Sequence, residues 1–186
     1  MPATWRERID FDRVGFLGFS FGGATAAEAA TMDQRFRAIV NLDGSLFGQA
    51  ATQPPAAPYL TLLADFEPPS APRDASSRRY EYAIVREMAL LEAERAAAHD
   101  DTYAFLVRGA LHEALTDEYG QASNARKWLM LSPARAQTIR NAYVLAFFNR
   151  YLRSQPEALL DASSTPYAEV ITSNEIASAV RNATAP

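Results

Sequence analysis

The chain has 186 residues, enough to bury a sizeable core in one domain, or in one large lobe and a minor one. Its 18 basic and 22 acidic residues leave a net charge of -4 and are interspersed, which excludes the basic stripe of a nucleic-acid-binding protein. Without cysteine there can be no disulfide, thiolate metal site or cysteine nucleophile. No apolar run reaches the roughly 18 residues of a membrane span, and the charged start Trp5-Arg6-Glu7-Arg8 lacks a signal-peptide core. A soluble protein is expected, cytoplasmic by default, with the compartment left open should the chain be part of an exported parent.

In chain order, Arg13 to Phe19 is a short apolar run bounded by turn residues, as in a strand buried on both faces of a parallel sheet. Phe21 to Met32 follows at once, alanine-rich and therefore helical, with small residues that let it lie close to a sheet. Arg37 to Leu42 and Pro58 to Ala64 are the second and third strand-like runs, and Thr102 to Val107 the fourth. Proline concentrates in Gln49 to Pro58 and Glu67 to Arg73, which read as loops after strands. From Ala75 to His99, Tyr80, Ile84, Met88 and Leu91 form the stripe of an amphipathic helix, with Arg78-Arg79 at its solvated start. Ser132-Pro133 is a helix start, and Ile139, Tyr143, Phe147 and Tyr151 then recur on one face. The segment from Ser163 to Pro186 has weak periodicity and reads as a partly mobile tail. Strand and helix alternate, so the fold expected is α/β, a parallel sheet of about four strands with flanking helices.

The chemistry gathers at Ser20. Gly18-Phe19-Ser20-Phe21-Gly22 fits G-x-S-x-G, and a buried-type strand ends at the serine where an alanine-rich helix begins, which is the context of a nucleophile elbow. Glycine is expected at positions 18 and 22 because strand and helix backbones nearly touch there. A glycine-rich phosphate loop would want a nearby lysine, and none is present. A serine hydroxyl needs a base, usually a histidine oriented by a carboxylate. Of the two histidines, His99 ends a helix and reads as a surface residue, whereas His112 follows the last strand. Asp43 and Asp65 both follow strands, and either gives the chain order serine, acid, histidine. The spacing leaves both open.

Gly18 to Thr25, then Asp33-Gln34-Arg35-Phe36-Arg37, then Leu42-Asp43, resemble the platelet-activating-factor acetylhydrolase family, a branch of the α/β-hydrolases. The likeness spans about residues 10 to 115, and the later helix is similar in style to the bacterial branch that resembles dienelactone hydrolases. It implies Ser20 as nucleophile, Asp43 as acid, with Asp65 the fallback, and His112 as base, supported by Arg108-Gly109 three residues before the histidine. Phe19 stands where the family commonly has histidine. The resemblance implies hydrolysis of short acyl esters, small-molecule or phospholipid-derived, with no cofactor and no metal. Phe16, Phe19, Phe21 and Phe47 are candidates for an acyl pocket.

In such enzymes the nucleophile strand is normally the fifth of about eight, and here some twelve residues precede it. Residues 1–162 are therefore expected to form a partial domain, the C-terminal half of an α/β-hydrolase, followed by the tail 163–186. The Phe21 backbone N–H is then the one oxyanion donor at hand. The Val14 to Phe19 strand would have an open edge, so a homo-oligomer, or pairing with an N-terminal half, is expected. The other functional reading is a truncated, weakly active or inactive hydrolase-fold module used in binding or assembly; acyl transfer and peptide cleavage would use the same three residues.

Overall fold

The computed structural model describes residues 7–66, 76–117, 131–161 and 165–183, with the backbone course alone for 76–82. Five strands form one sheet in chain order. β1 (Val14–Phe19), β2 (Phe36–Leu42), β3 (Tyr59–Leu63) and β4 (Thr102–Val107) are parallel, and β5 (Val170–Thr172) joins β4 antiparallel. The pairs Phe19 with Leu42, Leu42 with Leu62, and Leu62 with Phe105 align the C-terminal ends of the parallel strands. Whatever follows those strands is thus delivered to one rim of the sheet, where open α/β sheets bind ligands.

Both faces are covered, which is why the strands read as apolar runs rather than as alternating patterns. On one face, Val40, Leu42, Leu60, Leu62 and Phe105 meet α3 (Pro133–Arg153) through its buried Ile139, Tyr143 and Phe147. That helix begins as its sequence requires: Ser132 Oγ accepts from the Arg135 N–H at 3.3 Å and Pro133 occupies the first turn, where its missing N–H costs nothing. On the other face, α1 (Phe21–Met32) lays Ala26, Ala27 and Ala30 on Ile39 and Tyr59. Its neighbours there are α2 (Ser76–Ala98) and α4 (Ser173–Ala183), which meet Leu63, Ala104, Leu106 and Ile171.

The expected parallel sheet of about four strands is present as β1 to β4, and among the described residues Val170–Thr172 adds a fifth strand, antiparallel to Phe105 to Val107. Two expectations change. The segment expected as a tail supplies that strand and α4, whose Ile176 and Val180 are buried against Ala89 and Ala93 of α2. The stripe of Ile84, Met88 and Leu91 is not the buried face of α2: Ile84 is exposed, Met88 and Leu91 are half-buried, and Ala89, Glu92, Ala93 and Arg95 lie inside instead. Tyr80 lies outside the residues whose side chains are described, and the loop Glu67 to Arg73 outside the described residues altogether. Among the described residues no helix is long and apolar enough to cross a membrane.

Candidate active site

Ser20 stands between the last residue of β1 and the first of α1 with φ 54° and ψ -126°, a backbone conformation that costs a non-glycine residue about 1–3 kcal/mol. The surroundings hold it there. Its N–H donates to the Leu42 carbonyl at 2.8 Å, and its own carbonyl accepts from Gly23 and Ala24 at 3.0 and 3.1 Å. A Cβ on Gly18 would fall onto the Gly22 carbonyl, so glycine is required at position 18. Gly22 differs from expectation: a Cβ there would meet nothing within 4 Å, because its open side faces outward. The close approach falls on Gly23, where a Cβ would collide with Asn41 Oδ1. Phe21 opens α1, so its N–H has no intrahelical acceptor and stands beside Ser20.

Asp43 follows β2 with φ 54°, also in the left-handed region. Its N–H donates to Leu62 at 3.0 Å and its Oδ1 accepts from the Ala64 N–H at 3.0 Å, which turns Oδ2 toward His112. His112 opens a short 3-10 turn after β4, beyond Gly109 with φ 74°. Its Nδ1 lies 2.6 Å from Asp43 Oδ2 and its Nε2 3.0 Å from Ser20 Oγ. The imidazole is 40% exposed and its ring rests on Phe19 at 4.5 Å between centroids, which uses the aromatic residue before the serine. The hydrogen bond to Asp43 raises the His112 pKa above its ordinary value; burial opposes this, and the charges of Asp43 and Glu113 add to it.

The two aspartates therefore part ways. Asp65 accepts from the Gly109 N–H at 2.7 Å and is pushed up by burial, so it ties β3 to the turn that leads to His112 rather than bonding the imidazole. His99 is exposed past the end of α2. Of the four phenylalanines considered for an acyl pocket, Phe16 packs on Phe36 at 5.4 Å and Phe19 on His112, leaving Phe21 at the cleft and Phe47 stacked on it at 5.4 Å.

The cleft that opens at Ser20 has a volume of about 670 Å3, within the ordinary range of small-molecule sites. Leu46, Leu63, Phe66 and Leu111 give it apolar walls, and Met88 and Ala89 of α2 close one side. One residue at the cleft escapes sequence reasoning: Glu92, fully buried on α2, lines it and accepts from the Tyr59 hydroxyl at 2.6 Å. Burial pushes its carboxyl up to about 7, against the hydrogen bonds of Tyr59 and the charge of Arg95. Asn41, buried on β2, completes the same network.

A mostly parallel sheet with covered faces, and a serine, a histidine and an aspartate in line at its C-terminal rim, define the α/β-hydrolase class. Within that class the chain belongs to the family described as platelet-activating factor acetylhydrolase, isoform II, whose model matches residues 3–157. Over 172 residues it is 28% identical to a probable 1-alkyl-2-acetylglycerophosphocholine esterase of Arthroderma benhamiae, a match covering 86% of this chain and 43% of that protein. A platelet-activating factor acetylhydrolase of Bos taurus is 43% identical over 42 residues, covering 23% of this chain and 10% of the other. Among solved structures, a ferulic acid esterase from Streptomyces cinnamoneus superposes with a TM-score of 0.58 at 29% identity, covering 88% of this chain and 47% of that one. The chain thus spans less than half the length of these relatives.

Proposed function

We propose that this chain carries the reacting half of a serine hydrolase that cleaves carboxylic esters, with Ser20 as nucleophile, His112 as base and Asp43 as the acid that orients it. The observation that carries the reading is the unbroken line from Asp43 Oδ2 to His112 at 2.6 Å and from His112 to Ser20 Oγ at 3.0 Å, opening on a cleft. Ser20 Oγ forms a bond to the acyl carbon while its proton passes to His112 Nε2; collapse of the tetrahedral adduct expels the alcohol, which takes that proton. Water then repeats the two steps against the acyl-enzyme, restoring the free serine and releasing the acid. Asp43 holds the imidazole so that Nε2 faces Ser20, and stabilises the imidazolium.

Among the described residues the Phe21 N–H is the donor placed for the oxyanion, and the loss of one such donor typically costs about a hundred- to a thousandfold in rate. A strand paired on the open edge of β1, from a second copy or another polypeptide, is the proposed source of the remainder. The names of the relatives, acetylhydrolase and esterase, favour short acyl esters, phospholipid-derived ones among them.

Labelling with a fluorophosphonate probe and turnover of a chromogenic short-chain ester test the reading. Both are expected in the parent and absent in Ser20→Ala. Asp43→Asn should lower kcat by about three to four orders of magnitude, whereas Asp65→Asn should have a far smaller effect. An unlabelled parent, at high protein concentration as well as low, would favour the binding or assembly module instead.

A further inference from the structure

A polar seam interrupts the face of the sheet under α1 and α2, where two apolar clusters would otherwise merge. Asn41 is fully buried in it, and Tyr59 and Glu92 are buried beside it. The direction of every bond follows from the groups present. Asn41 Oδ1 accepts from the Gly44 N–H at 2.8 Å, which orients the amide. Its Nδ2 then donates one hydrogen to the Gly44 carbonyl at 2.8 Å and the other to the Tyr59 hydroxyl at 2.9 Å. The phenol hydrogen is left for Glu92 Oε1, 2.6 Å away. The chain of donors runs one way, from β2 through β3 to α2.

What this seam grips is the site. Asn41 holds Gly44 by both its N–H and its carbonyl, and Gly44 directly follows Asp43, whose own φ of 54° needs outside support. Gly44 in turn lies against the elbow: a Cβ on it would collide with the Ser20 carbonyl and stand 2.7 Å from the Ala24 nitrogen. Gly23 presses on the same Asn41 oxygen. One buried amide therefore touches both the turn that carries Asp43 and the turn that carries Ser20. Such a seam is expensive in a core, since apolar residues of similar shape would often be as stable or more so.

We infer that Asn41, Tyr59 and Glu92 are positioning residues, a hydrogen-bonded network that fixes the Asp43 turn and the Ser20 elbow relative to one another from beneath the sheet rim. The effect on reaction rate rests on the proposed roles of Ser20, His112 and Asp43; the effect on the geometry between Asp43 and His112 does not.

The test follows both in parallel. The chain has only two histidines, so NMR titration resolves His112, with exposed His99 as internal control. Tyr59→Phe deletes one oxygen but also removes a hydrogen bond that lowers the Glu92 carboxyl, so it is measured in a Glu92→Gln background as well, where no carboxyl is left to change its charge. In that variant the His112 midpoint should fall as the Asp43 bond loosens, with His99 unmoved and the fold intact by circular dichroism. Fluorophosphonate labelling of Ser20 should slow by about ten- to a hundredfold, the scale expected for a small misplacement of reacting groups. Glu92→Ala should act likewise, and Glu92→Gln, which keeps an acceptor for the phenol, should recover most of the His112 shift. Tyr59→Phe with parental His112 titration overturns the inference. If the parent fails to label at all, the hydrolase reading falls while the titration still decides the network.

Discussion

Among the described residues three non-glycine positions adopt positive φ, namely Ser20, Asp43 and Ser154, and two of them face each other through His112. The strain is local, and so are the residues that permit it. Gly23→Ala should therefore destabilise the fold by about 1–3 kcal/mol, since the added methyl group must displace buried Asn41, while Gly22→Ala should stabilise it by about 0.4–1 kcal/mol by replacing glycine within a helix at an open position. Urea unfolding of the two variants checks the contrast, and a reversed order would show that the elbow is built otherwise. The pH dependence of stability has a sign that can be worked out. Glu92, facing Tyr59, Asn41 and Arg95, keeps its proton up to about 7 in the folded chain against 4.5 ordinarily, so stability falls as pH rises through that window. The loss is on the order of 3 kcal/mol. Half-buried Asp65, also raised by desolvation, acts in the same direction. His112 adds a stabilisation that is complete below 6.5 and is lost as pH rises through its raised folded value. Asp10, Asp33 and Glu169 are lowered, and their contributions are lost only in acid, below this window. Urea midpoints should thus decline from pH 5 to pH 8, with the lower part of the decline removed in Glu92→Gln.

At the scale of elements, the last strand and helix carry more than their composition suggests. Ile176 is fully buried between α4 and α2, in one cluster with Leu106 and Ile171. Ile176→Ala should cost about 2–5 kcal/mol in urea or thermal unfolding, the range for a large aliphatic side chain removed from a core; a loss under about 1 kcal/mol would mean that α4 is only loosely docked. Periodicity does not register there, because Val170–Thr172 is only three residues long and stands among small polar ones. Elements are legible in the sequence where a pattern is long or chemically specific. Phe21–Met32, Thr102–Val107 and the Ser132-Pro133 start fall where the alanine run, the apolar run and the cap place them. The buried face of α2 is not legible, because alanines count weakly as core and because Glu92 and Arg95 are residue types that normally face water. Asn41 did leave a trace, a lone amide in the otherwise apolar run from Ala38 to Leu42. Its partners Tyr59 and Glu92, 18 and 33 residues apart from their contacts in sequence, could be joined to it only by the fold.

Taken as a whole molecule, the described sheet ends at β1, whose outer edge pairs with no described strand. That strand has neither proline nor charge over Val14–Phe19, and Leu17 on it is 43% exposed. Native edge strands are ordinarily protected by such residues or covered, so this edge invites a further strand. The same edge adjoins Ser20, and among the described residues Phe21 offers the one N–H proposed for the oxyanion, so on the proposed function covering the edge would also complete the site. Activity per chain should then rise with protein concentration if a second copy provides the cover, in step with the dimer fraction by native mass spectrometry. Leu17→Lys, which puts a charge on the edge and touches neither Asp43 nor His112, should lower association and activity together while the His112 titration stays as in the parent. A parent chain that remains monomeric across the concentration range, with constant activity per chain, would place the second donor within residues outside those described rather than on a partner.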